Sequence, residues 1–380
     1  MLAVRRPTVA VALALVAFGG VLSGCSDSSD QPSDAASPGQ QASVGVSPSV
    51  GGSTPSASMS ASASAPATGG TVTATPAKQQ LDWTEVSHSE YPVVASASWK
   101  LEVVQKGHAW SLAARGKAAH TTQAPAGLKV LDVQMSDTYA VAVYGDEQMR
   151  KPQQVAVTDL ATGKVTMIDA SSPLPPTTEG SYALDGSTLW RPTRKGAEFC
   201  LATTDLSSGA STLSWCAPKN NGWTNVIASA GTASALAFDN GQPSCRTVVA
   251  LAGGRATPYP GVPDCKGAEG ADLGDAGKVW AIVPSEQRYQ QIHVYASGDG
   301  ATTDLGLGVN GTLAVCGGAA YWSRDATGSA PAALMRWDGT TLSTVYETDG
   351  YLGKPLCASD TLTLPVSAGD GAQQLSAPVA

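Results

Sequence analysis

Charge is scarce in this chain. Asp, Glu, Lys and Arg make up 14% of its 380 residues, with 23 Lys and Arg against 31 Asp and Glu. A formal net charge of -8 on so few cations makes a poor partner for polyanions and excludes nucleic acid. Histidine is rarer still. His88, His108, His120 and His293 are scattered, no two at ligand spacing, which sets aside a histidine-based metal enzyme and leaves each as a loop or wet-strand residue. The chain has no Cys-x-x-Cys pair to suggest a metal or redox site, and no Gly-x-Ser-x-Gly elbow to suggest an α/β-hydrolase. After the first 24 residues no apolar run is long enough to span a bilayer. No cofactor is implied by any of these patterns.

What the N-terminus holds is a short basic region with Arg5 and Arg6, an almost wholly apolar stretch from Thr8 to Val21, and then Leu22-Ser23-Gly24-Cys25. Basic, apolar and small-residue regions in that order make a secretory signal over residues 1–24, too short to span as a helix. The ending L-S-G-C resembles the lipobox of bacterial lipoproteins. The resemblance implies cleavage before Cys25, acylation of its sulfur and of its new amino group, and a lipid anchor on the outer face of the cell membrane. One acyl chain binds a bilayer marginally and two or more hold it stably.

From residue 25 to 80 the chain is dominated by Ser, Ala, Pro, Gly and Thr, carries only Asp27, Asp30, Asp34 and Lys78 as charges and has no aromatic residue. Such a segment cannot bury enough apolar surface to offset its chain entropy and reads as a disordered tether. As a flexible coil it reaches roughly 40 Å on average, and removing it is expected to leave the fold untouched. All 9 Trp lie between Trp83 and Trp337, so residues 81–380 are the folded part.

That part repeats. Turn signals before an apolar strand occur at Asp137, Gly186, Gly231, Gly277, Gly318 and Asp360, 41 to 49 residues apart. A second series alternates with them, at Thr162-Gly163, Ser208-Gly209, Gly253-Gly254, Gly298-Asp299-Gly300 and Asp338-Gly339. Between turns run short apolar or alternating segments such as Ala140-Val141-Ala142-Val143. Short strands joined by tight turns at this period are the signature of an all-β fold, a β-propeller of four-stranded blades. Inner strands are expected to start near Tyr91, Leu128, Ser181, Thr224, Ala268, Asn310 and Lys354, which makes seven blades, with six or eight also compatible. Leu81 to Val86 would supply the outer strand of the seventh blade and remove an exposed edge. A two-domain β-sandwich is the alternative. With its signal, tether and repeat, the chain resembles the propeller-bearing lipoproteins of high-GC Gram-positive bacteria, a likeness that carries over no functional residue.

Apart from Cys25 there are six cysteines, and an even count in an exported chain suggests disulfides. The repeat selects one pairing among fifteen. Cys200 and Cys216 flank the turn at Ser208-Gly209, and Cys245 and Cys265 flank the turn at Gly253-Gly254. Cys316 and Cys357 stand one period apart and would join neighbouring inner strands.

Chemistry is harder to find, and no catalytic residue or metal ligand stands out. Ser297 to Thr302 resembles the Asp-box turn of sialidase-type propellers without its Trp, and reads as a polar hairpin. The stretch from Asp264 to Asp275 reads as an acidic, Gly-rich solvated loop, with calcium as the alternative. Trp190, Trp280, Tyr321 and Trp322 fall at similar places in their blades and read as core. The candidates for a ligand face are Trp99, Trp110, Trp223 and Tyr289, whose rings would stack on sugars or peptides.

The expected function is a monomeric, membrane-anchored, extracytoplasmic binding module for an envelope protein, a wall glycan or a small ligand. The alternatives are a glycan- or peptidoglycan-directed hydrolase and an accessory factor of an envelope complex. Buried carboxylates at the channel mouth would favour the hydrolase, and a contiguous apolar patch a protein partner. The anchor makes a direct prediction. Cys25→Ala is expected to move the protein from the membrane fraction to the soluble one, and unchanged processing with full membrane retention would contradict the lipoprotein reading.

Overall fold

The computed structural model describes residues 71–285, 290–298, 301–369 and 371–379. The signal, Cys25 and residues 26–70 lie outside them. The described strands form seven sheets, each with a core of antiparallel strands consecutive in the chain. The innermost strands are Val93–Ala95, Lys129–Met135, Ala183–Asp185, Gly222–Ser229, Gly267–Asp272, Ala314–Cys316 and Leu356–Ala358. They start within a few residues of the positions that the repeat predicts. The fold is a seven-bladed β-propeller.

Burial explains the sequence pattern. A middle strand is covered on both faces by neighbouring blades, so Tyr139–Gly145 reads as an unbroken apolar run. An outer strand such as Val165–Ile168 has solvent around it and buries only Ile168. The core is therefore divided among the gaps between blades. Val141, Val143 and Val155 of blade two meet Leu189 of blade three. Ile292 and Val294 of blade five meet Trp322 of blade six.

The chain ends close the ring. Thr84–Ser87 pairs antiparallel with Gly371–Pro378 and forms the outer strand of blade seven. Trp83 secures the approach. Its indole N–H donates to the Val345 carbonyl at 3.1 Å, and its ring meets Tyr346 edge-on at 5.5 Å.

The segment before it departs from the tether expected to run to residue 80. Thr71–Thr73 adds parallel to the outer strand Ala301–Val309 of blade five, and Ala77–Lys78 adds parallel to Leu342–Thr348 of blade six. Residues 71–87 thus run along the rim of three successive blades. The sequence hides this because Thr71–Thr73 and Ala77–Lys78 are exposed throughout. They contribute backbone hydrogen bonds, such as Ala74 N–H to Asp304 O at 2.9 Å and Gln79 N–H to Thr344 O at 3.0 Å, and leave no apolar pattern.

All three expected disulfides are present: Cys200–Cys216, Cys245–Cys265 and Cys316–Cys357. The first lies directly across the outer hairpin of blade three. The last joins the inner strands of blades six and seven beside the channel.

The stretch expected to be a solvated acidic loop requires correction. Gly267–Asp272 is the inner strand of blade five, buried along almost its whole length. Its small residues let blade five approach blade four: a Cβ on Gly270 would stand 2.4 Å from Val248 Cγ1.

Ring closure can be tested by truncation. A form starting at Asp82 loses the rim hydrogen bonds, each contributing about 1 kcal/mol, the exposed Lys78–Glu347 pair and the partial packing of Ala74 and Leu81, and is expected to melt a few degrees lower than the full chain. A form starting at Pro92 also loses the closing strand and is expected to aggregate or melt at least about 10 °C lower. Equal melting temperatures for the two forms would contradict closure by this strand.

Candidate functional site at the channel mouth

Two cavities lie along the propeller axis. One, of about 470 Å³, opens where the inner strands begin. The other, of about 570 Å³, opens at their turns. Both are bounded by Met135, Leu184, Ala228, Val315 and Cys357. At the turn end the acidic groups are used internally. Asp137 accepts from the Ser359 hydroxyl, Asp185 accepts from Gly231 N–H at 2.7 Å, and Asp272 pairs with Lys278. The other mouth retains free charge and is the candidate site.

Strand irregularity builds this mouth. The pairing of the inner strands of blades two, four and five slips between Val130 and Asp132, Thr224 and Ile227, and Gly267 and Glu269. A bulge re-aims the side chains at the extra residue. In blades two and four it turns Asp132 and Asn225 to the cavity. In blade five Glu269 turns into the wall and is only 1% exposed. Glu269 Oε2 accepts from Gly311 N–H at 3.0 Å and Leu313 N–H at 3.4 Å, tying blade five to the approach of blade six.

Lys354, at the approach to blade seven, lines the same mouth, and its charge reaches both acids. Burial pushes the Asp132 carboxyl above the usual carboxylate range, opposed by the Gln134 amide, Lys354 and Val133 N–H. Burial also pushes Glu269 up to about 7, opposed by Lys354 and the backbone N–H groups of Gly311, Leu313 and Thr312.

The loop between blades two and three forms one wall. Gly180 has φ of +121°, and a Cβ there would stand 2.7 Å from Pro192 Cβ, so only glycine fits. The buried Arg191 holds this loop through its Nη1–H to the Leu174 carbonyl at 2.5 Å, and its Nε–H donates to Thr204 Oγ1 at 2.9 Å. Thr193 Oγ1 adds a bond to the Pro175 carbonyl at 2.8 Å. Behind the wall, the Tyr182 hydroxyl donates to Gln153 Oε1 at 2.9 Å.

The aromatic candidates do not meet at this mouth. Trp110 and Trp223 are each 2% exposed. Trp110 Nε1–H donates to the Tyr144 hydroxyl at 2.6 Å, and Trp223 stacks on Phe199 at 4.9 Å. Buried indoles cannot stack on a ligand, so these two are core. Trp99 is half-buried in a cleft between blades seven and one. Tyr289 lies outside the described residues. Trp190, Trp280, Tyr321 and Trp322 are buried core, as their spacing predicts. His293 Nε2 contacts Asp304 Oδ1 at 2.6 Å on blade five, and His88 contacts Glu85 at 2.8 Å on the rim. Among the described residues, Glu198, Cys200 and Cys216 group at metal-ligand distance, but the two sulfurs are joined and offer no thiolate.

No family model matches the chain, and no curated protein matches it. Solved structures do resemble it. The β-propeller domain of the Trilobed protease from Pyrococcus furiosus superposes with a TM-score of 0.53 at 9% identity, covering 79% of this chain and 96% of that one. The acylaminoacyl peptidase of Pyrococcus horikoshii superposes with a TM-score of 0.50 at 8% identity, over 79% of this chain. The match spans 54% of that peptidase, about half its length. At these identities the likeness shows the fold alone.

Glu269 makes the wall pH-sensitive. Its pKa is higher folded than unfolded, so its contribution is complete below about 4.5 and is lost as pH rises through about 7. Glu269→Gln keeps the acceptor and removes the ionisation. It is expected to match wild type near pH 4.5 and to exceed it by up to about 3 kcal/mol above pH 8. Thermal melts of both proteins across this range check it, and a pH-independent difference would contradict it.

Proposed function

We propose that the chain is a membrane-tethered, extracytoplasmic binding module that takes its ligand at the channel mouth. One observation carries the reading: Asp132 and Lys354, of opposite charge, both line this mouth, and among the described residues neither forms an ion pair. Opposite charges that line one cavity without pairing leave complementary groups for a ligand. The mixed lining also suits a ligand pocket. Leu131 and Met149 are 45% and 56% exposed there, beside the amides of Gln134, Gln153 and Asn225. The signal and Cys25 support the tethered, extracytoplasmic placement.

The hydrolase reading draws on the raised pKa values of Asp132 and Glu269. It is weaker because hydrolysis of a glycoside takes two carboxylates facing one substrate, and Glu269 is sealed in the wall by its backbone donors. For an accessory factor, the exposed large apolar side chains are spread over blades two, three, five and seven.

A photo-reactive methionine analogue tests the placement. At position 149, in the mouth, it is expected to capture adducts on intact cells, and Lys354→Glu should lower their yield about tenfold, equivalent to about 1.4 kcal/mol. At position 167, on the outer edge of blade two, it should capture none. Adducts at 167 with none at 149 would move the interaction to the rim and contradict the reading.

A further inference from the structure

The polar groups of the mouth are incompletely satisfied in a specific pattern. Gln134 uses its amide hydrogens on Asp132 Oδ2 and on the Tyr182 carbonyl, each at 2.8 Å. Its own Oε1 is buried without a hydrogen-bond partner. Asp132 Oδ1 accepts from Val133 N–H at 2.9 Å, and the carboxylate retains unused lone pairs. The Gln134 amide holds the Asp132 carboxylate at the cavity lining and leaves it acceptors to spare. Such a carboxylate favours a donor with several hydrogens and positive charge, which describes an ammonium group. Lys354 is the opposite kind of group. Its ammonium offers donors only and is exposed in the same mouth, with no ion pair among the described residues. It selects a carboxylate. Leu131 and Met149 provide an exposed apolar surface in the same cavity.

Resting on the mouth as the ligand site, we propose that the ligand is a short zwitterionic peptide. Its free amino terminus binds Asp132, its free carboxyl terminus binds Lys354, and an apolar side chain lies on Leu131 and Met149. A cavity of about 470 Å³ suits two or three residues better than a single amino acid. A neutral glycan carries neither terminal charge and would leave the charges of Asp132 and Lys354 uncompensated.

The test uses the full chain in detergent, labelled with carbon-13 at its methionine methyl groups, and follows Met149 by NMR. The probes are alanyl-leucine, N-acetyl-alanyl-leucine and alanyl-leucinamide. Alanyl-leucine is expected to shift the Met149 methyl and to bind at least about tenfold more tightly than either blocked form, as each loses one charged contact. Asp132→Asn should abolish the preference over the acetylated probe and keep the preference over the amide. Lys354→Met should do the reverse. Unshifted signals from the other methionines check that both variants remain folded. Equal binding of the three probes, or no binding of any, would overturn the proposal. Adducts still captured at position 149 on cells would then leave the mouth as a site for another chemistry. Their absence as well would remove the site itself.

Discussion

The pairing of Thr84–Ser87 with Gly371–Pro378 is the interaction on which the rest of the structure depends. Each blade buries its faces only against its neighbours, so an open ring would leave the faces at the break uncovered and an outer edge unpaired. The two chain ends meet in one sheet, and every blade acquires two neighbours. The rim strands Thr71–Thr73 and Ala77–Lys78 extend the same closure backwards over blades five and six. The Cys316–Cys357 bridge adds a covalent link between blades six and seven, on the inner side of the arc that the rim segment covers.

Closure also sets the chemistry of the channel. Inner strands held at fixed spacing can bulge without the sheet unravelling, and the bulges of blades two, four and five aim Asp132 and Asn225 into the cavity and Glu269 into the wall. Burial raises the pKa of both acids, and Lys354 from blade seven moderates both. Groups far apart in sequence share one electrostatic environment because the ring brings the approach of its last blade beside its second. The turn end of the axis, by contrast, satisfies its carboxylates internally and offers a ligand little.

Much of the architecture was legible in the sequence because turns have a strong chemical signature. Glycine and Asp mark the hairpins, and their period gave the blade number and register. The same register paired the cysteines, since a disulfide spans a hairpin only when its residues flank the turn evenly. The candidate site was legible far less well. Aromatic residues suggested Trp110 and Trp223, yet a large ring near a loop is equally suited to the gap between blades, and burial decided for the core. Glu269 was hidden in a stretch whose glycines and acids resemble a solvated loop. Those glycines serve close packing against Val248. Asp132 and Lys354 carry no local motif at all. Their importance comes from bulges and ring closure, which no short window of sequence records.

Native-state hydrogen exchange tests the central claim most directly. If closure holds the channel together, the hydrogen-bonded amides of Thr84–Ser87 exchange only through the opening that also exposes Lys129–Met135 and Gly267–Asp272. The three segments then show the same protection and the same denaturant dependence. Rapid exchange of the closing strand, with the inner strands of blades two and five still fully protected, would contradict the account.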